Sequence, residues 1–173
     1  MTDLEIRTAA ELVDPALEAR LGARRARRQD PVLQAILRLF LDRGGPIGVE
    51  AIAAAVPGRS REALLATLAE LDAEDLILLG EAGVELAYPF ATGPNPFAVV
   101  LADGRLRYAC CAIDALGIPP MVRQPAAIRS RCHHCRAPLD FPVDAGGPGV
   151  GAEGVMVWSG ERGMLPQKVC AWL

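Results

Sequence analysis

The sequence predicts an α+β protein, an N-terminal winged-helix-like helical domain followed by a small mixed β-sheet domain with short helices. Three observations carry this expectation. Apolar residues recur with helical spacing from Pro31 to about Glu74, short β-rich runs punctuated by Gly and Pro follow from Leu76, and all five cysteines lie beyond Gly93. A chain of 173 residues with 51% hydrophobic side chains can bury a real core, as one compact domain or two small ones. The organisation expected is an N-terminal helix and basic linker over 1–30, a winged-helix-like domain over 31–92 and a thiol domain over 93–173.

The first segment reads as one helix near Ala9 to Leu21 and then a basic run, Arg24, Arg25, Arg27 and Arg28. Six basic and six acidic residues lie between Met1 and Asp30, so the run is balanced locally and reads as a solvated linker face rather than a nucleic-acid contact. From Pro31, the stripe Val32, Ile36, Leu39 and Phe40 marks a helix that Gly44-Gly45-Pro46 ends. A short helix fits Val49 to Val56, stopped by Pro57-Gly58, and a third runs from the N-cap Ser60 to about Glu74. Leu76 to Leu79 and Val84 to Ala87 read as a hairpin around Gly80 to Gly83. Three helices and a hairpin in this order suggest a winged helix-turn-helix. Between Pro31 and Thr92, however, four basic residues face nine acidic ones, a net of −5. A duplex reader must neutralise phosphates with Lys and Arg, so a packing or lid role is expected instead, with no nucleic-acid partner.

Ala91 to Pro96 reads as a linker. Strands are expected at Phe97 to Leu101 and Leu106 to Ala109 around the turn Asp103-Gly104, then a helical segment from Cys110 to Leu116 that ends before Pro119-Pro120. Further strands fit Ala127 to Arg131, Leu139 to Val143 and Val155 to Trp158. The Gly-rich stretch Ala145 to Gly154 reads as mobile surface and lacks the Lys-Ser/Thr ending of a phosphate-binding loop. No run of about 18 uncharged apolar residues occurs, and Asp3, Glu5 and Glu11 stand where a signal peptide needs a basic start. The expectation is a cytoplasmic protein with no membrane partner, whose odd number of cysteines serves metal binding or reactive thiols rather than disulfides.

Three cysteine constellations follow. In Cys110-Cys111-Ala112-Ile113-Asp114, a helical segment would bring Cys111 and Asp114 to one face, and a helix N-terminus favours a thiolate. The competing reading is a small buried Cys beside a surface charge. In Arg131-Cys132-His133-His134-Cys135-Arg136, two thiols separated by two residues form half of a soft-metal or zinc site, with Cys110, His134 or Cys170 as candidates for the rest; a tight turn with exposed histidines is the equal alternative. Cys170 alone would be a strand residue.

The stretch Leu106-Arg107-Tyr108-Ala109-Cys110-Cys111-Ala112-Ile113-Asp114-Ala115-Leu116, with Ile118-Pro119 behind it, resembles the core signature of the alkylmercury (organomercurial) lyases. There a strand ending in Tyr-Ala and an aromatic residue leads into Cys-Ala-Leu-Asp. Ile128 to Cys132 and Ala137-Pro138-Leu139 are similar to the strand with a further, non-catalytic cysteine and the strand start after it. The resemblance spans about Pro31 to Val143, because the family carries a winged-helix-like domain that does not serve DNA binding. It implies Cys111 as the first catalytic thiol, Asp114 as the catalytic carboxyl, Cys132 as the non-catalytic cysteine and, by its separation from Cys111, Cys170 as the second catalytic thiol. Cys110 replaces the aromatic residue, Cys135 is an added thiol, and the chain stops after Leu173, which implies a shortened cover over the site. The implied activity is protonolysis of a carbon–mercury bond without an organic cofactor, mercury being substrate and product. The implied partners are an organomercurial small molecule and a cytosolic dithiol or mercuric reductase that accepts Hg(II). Two other readings stay open: a non-catalytic soft-metal or zinc-binding protein using Cys132 and Cys135 with another cysteine, and a metal-sensing transcription factor.

Overall fold

The computed structural model describes residues 5–12, 15, 19, 22 and 26–157. Of the helix expected up to Leu21, a 3-10 turn, Ala9–Leu12, and the helical residues Pro15 and Ala19 are described, and the remainder lies outside the described residues. A second such turn, Arg27–Gln29, leads into the first α-helix. Arg27 there reaches Glu70 and Glu74, each at 3.0 Å, so this part of the basic run is held by carboxylates.

Helix α1 (Pro31–Arg43) starts where Asp30 accepts hydrogen bonds from the amides of Val32 (2.8 Å) and Leu33 (3.4 Å), with Pro31 at the first helical position where no amide is needed. The expected stripe is its inner face: Val32, Ile36, Leu39 and Phe40 are all buried. Helix α2 (Val49–Ala55) follows, then α3 (Arg61–Ala73), whose N-cap Ser60 accepts from the Ala63 amide at 3.1 Å. Leu64, Leu68 and Leu71 of α3 close the helical layer.

Among the described residues, eight strands form one antiparallel sheet in the order β1-β2-β3-β5-β4-β6-β7-β8. They are β1 (Ile77–Gly80), β2 (Gly83–Ala87), β3 (Phe90–Ala91), β4 (Ala98–Leu101), β5 (Leu106–Ala109), β6 (Ala126–Arg131), β7 (Pro138–Asp144) and β8 (Gly147–Pro148). The two-residue β3 bridges the hairpin that follows the helices to the strands of the cysteine-bearing half, pairing with both β2 and β5. The boundary expected near residue 92 therefore falls within one continuous sheet. The loop before α2 is also tied in, as Ile47 and Val84 exchange backbone hydrogen bonds of 2.9 Å. Gly83, at φ +114°, makes this approach possible, since a Cβ there would sit 2.3 Å from the Ile47 carbonyl oxygen.

Three expectations are corrected. Helix α4 (Ala112–Val122) does not end before Pro119-Pro120 but continues through both. Ala115, Ile118 and Pro119 are buried as α4 packs on β4 to β7, and this burial outweighs the amide hydrogen bonds that the prolines remove. The helix closes at Arg123, in the left-handed region at φ +54°, whose amide bonds the Pro120 carbonyl while that of Gln124 bonds Pro119. The Gly-rich stretch Ala145–Gly154 is not all irregular surface, because Gly147 and Pro148 pair with Asp144 and Val143. Val155 to Val157 form no strand: the Val155 amide closes a turn onto Ala152, and Trp158 lies outside the described residues. Among the described residues no helix is long and apolar enough to cross a membrane.

Candidate active site

Strand β5 delivers the first cysteine pair, and the pleat sends the two thiols different ways. Cys110 is 3% exposed; its amide bonds the Pro89 carbonyl at 3.0 Å and its thiol donates to the Phe90 carbonyl at 3.3 Å. It is a structural thiol within the core. Cys111, half-buried, is the N-cap of α4, in extended backbone at φ −153°. Its sulfur accepts from the Asp114 amide at 3.4 Å, and its S–H donates to Asp114 Oδ2 at 3.0 Å. Thiol and carboxyl thus meet in a reciprocal cap, with sulfur in the place usually taken by a hydroxyl.

The expectation of a thiol ionised by the helix terminus is corrected. Burial first, and the hydrogen bond and negative charge of Asp114 next, push the Cys111 thiol up to about 11, against the opposing pull of the backbone amides. The resting pair is a protonated thiol pointing at a carboxylate.

Backbone contacts outside the cysteine motif hold this corner. Asn95, in the stretch read as a linker, accepts from the Phe97 amide (2.9 Å) and donates to the Ala109 carbonyl (3.0 Å), directly before the cysteines. Gly93 packs on the Tyr108 ring so closely that a Cβ would fall 1.8 Å from it. Asn two residues before Phe97, directly ahead of β4, is the sequence signal for this Asx turn.

Cys132 and Cys135 lie at the β6–β7 turn, Cys132 half-buried and Cys135 exposed. His133 and His134 are exposed beside them. Among the described residues no three His, Cys, Asp or Glu side chains converge on a common metal position, so neither Cys110, Cys111 nor His134 completes a site with this pair. Cys170 lies outside the described residues.

Comparison with known proteins follows the same division. Residues 90–168 match MerB, the alkylmercury lyase family. The family resemblance is borne out over this segment, which carries Cys111, Asp114, Cys132 and Cys135 and ends short of Cys170. The fold is similar to that of a solved structure described as the mercury-bound form of MerB2, with a TM-score of 0.61 and 16% sequence identity. The match covers 79% of this chain and 66% of that one, just under two thirds of its length. At this identity the likeness to MerB2 is one of fold, a mixed helical and antiparallel-sheet architecture that extends beyond the matched segment into the N-terminal half. No curated protein matches the sequence.

Proposed function

We propose that this protein is an organomercurial lyase that cleaves a carbon–mercury bond by protonolysis. The observation that carries the reading is the Cys111 S–H donating to Asp114 Oδ2 at 3.0 Å, within a segment that matches the alkylmercury lyase family. Mercury is thiophilic, so R–Hg⁺ exchanges a weaker ligand for the Cys111 sulfur, and the thiol proton passes to the carboxylate that already accepts it. A second thiolate, assigned to Cys170 on the family resemblance, raises electron density on the carbon. Asp114 returns its proton to that carbon as the C–Hg electron pair becomes the new C–H bond. The hydrocarbon leaves, and Hg(II) stays on the two sulfurs until a cytosolic dithiol or mercuric reductase takes it. General acid work of this kind contributes about 10²–10⁴-fold.

The raised thiol affinity for its proton suits this order of events. A thiol kept neutral at rest holds the proton that the reaction consumes, and metal binding releases it next to its acceptor. The winged-helix-like arrangement of residues 31–92 serves in this reading as packing for the sheet rather than as a DNA reader, in keeping with its net charge of −5.

Reduced protein given a simple aryl or alkyl mercurial should release hydrocarbon, measured by gas chromatography, and Cys111→Ser should abolish it. Serine is a competent N-cap, so the variant keeps its helix start while losing the soft ligand. Wild-type rates in Cys111→Ser would remove the assignment. A wild-type protein that forms a stable R–Hg adduct and never releases hydrocarbon would favour the non-catalytic soft-metal binder instead.

A further inference from the structure

The β6–β7 turn is built around two thiols that the lyase reading does not use. The Cys132 amide bonds the Ala137 carbonyl at 2.8 Å, and the Arg136 amide returns to the Cys132 carbonyl at 2.9 Å, so the four-residue loop is closed from both sides. Arg136 sits in the left-handed region at φ +61°, which lets the chain re-enter β7 immediately. Cys132 opens that loop and Cys135 lies three residues on, inside the turn that the Arg136 amide closes. The two cysteines, Cys132 half-buried and Cys135 exposed, are thus carried on one closed backbone loop where β6 turns into β7.

We propose that Cys132 and Cys135 form an exposed dithiol site for one thiophilic cation that accepts two-coordinate thiolate ligation, with mercuric ion as its probe. Two cysteines held three positions apart on one closed turn supply the pair of soft sulfur ligands that such a cation prefers. Because no third His, Cys, Asp or Glu converges here among the described residues, the donor set fits linear ligation rather than a closed tetrahedral zinc site. Binding exchanges two chlorides of mercuric chloride for two sulfurs, releases two protons and changes no oxidation state. The site does not rest on the lyase reading, since no carbon–mercury bond need break for it to fill.

The test uses full-length protein carrying Cys111→Ser and Cys170→Ser, so that the other proposed thiols are absent. One equivalent of mercuric chloride is added in excess monothiol, and native mass spectrometry reads the ion retained. A dithiol chelate outcompetes single thiols through effective concentration, so one Hg per chain is expected. Adding Cys135→Ser or Cys132→Ser should lower retention by about 10²-fold or more, with an unchanged far-UV circular dichroism spectrum. Loss of Hg by the parent variant, undiminished retention after Cys135→Ser, a mass showing Hg shared between two chains, or four-coordinate zinc displacing Hg would each overturn the proposal. Hydrocarbon release by the wild-type protein is read separately, so failure of one reading leaves the other measurable.

Discussion

Cys111 and Asp114 show how one contact sets both the resting state and the chemistry of a group. The helix terminus and its amides favour the thiolate, but burial and the facing carboxylate are larger and leave the thiol protonated up to about 11. An unfolded thiol ionises near about 8.5, so this pair's contribution to stability is complete below that pH and is lost as pH rises through about 11. Iodoacetamide labelling of Cys111, followed by peptide mass spectrometry, should therefore still be accelerating above pH 10 in the wild-type protein. In Asp114→Asn the labelling curve should move to lower pH, since the charge is gone while the burial remains. The same variant should keep an R–Hg adduct on sulfur yet lose protonolysis by about 10²-fold or more, because a carboxylate adds little to soft-metal affinity but carries the proton. A labelling curve that does not move, or undiminished hydrocarbon release, would separate Asp114 from the thiol.

The helices are set by their ends as much as by their apolar faces. Asp30 caps two amides of α1, and at the other end the α1 carbonyls are taken up by the sheet: Arg107 Nε donates to the Leu41 carbonyl at 2.7 Å and Arg105 Nη1 to the same oxygen at 3.1 Å. Arg107, buried in strand β5, therefore fastens the helical layer to the strand that carries the cysteines. Asp30→Ala should cost about 0.5–2 kcal/mol, seen as a shifted denaturant midpoint at unchanged slope, without altering the chemistry at Cys111. In α4 the balance runs the other way. Two prolines argue for a stop after Leu116, and burial of Ile118 and Pro119 against the sheet carries the helix past it.

Among the described residues one hydrophobic core runs from Ile36 and Leu68 of the helical layer to Ile128 and Phe141 of the far strands. Its seam is the stacked pair Phe40 and Phe90, ring centroids 6.1 Å apart at 7°. Phe40→Ala should destabilise by about 3–5 kcal/mol, and thiol exposure at Cys110 and loss of helical circular dichroism should still occur in one transition, because the two halves share this core. Separate transitions would make them independent units. The sequence by itself determined the helix stripes, the cap at Ser60, most of the strands and the Cys111–Asp114 pairing, since periods, caps and a three-residue spacing are local properties. It did not determine β3, whose two residues are too short to show a period and acquire meaning only from partners on either side. Nor did it determine the separate fates of Cys110 and Cys111, or the protonated state of Cys111. Those depend on which residues, distant in sequence, surround each sulfur, and burial and local charge are properties of the assembled fold.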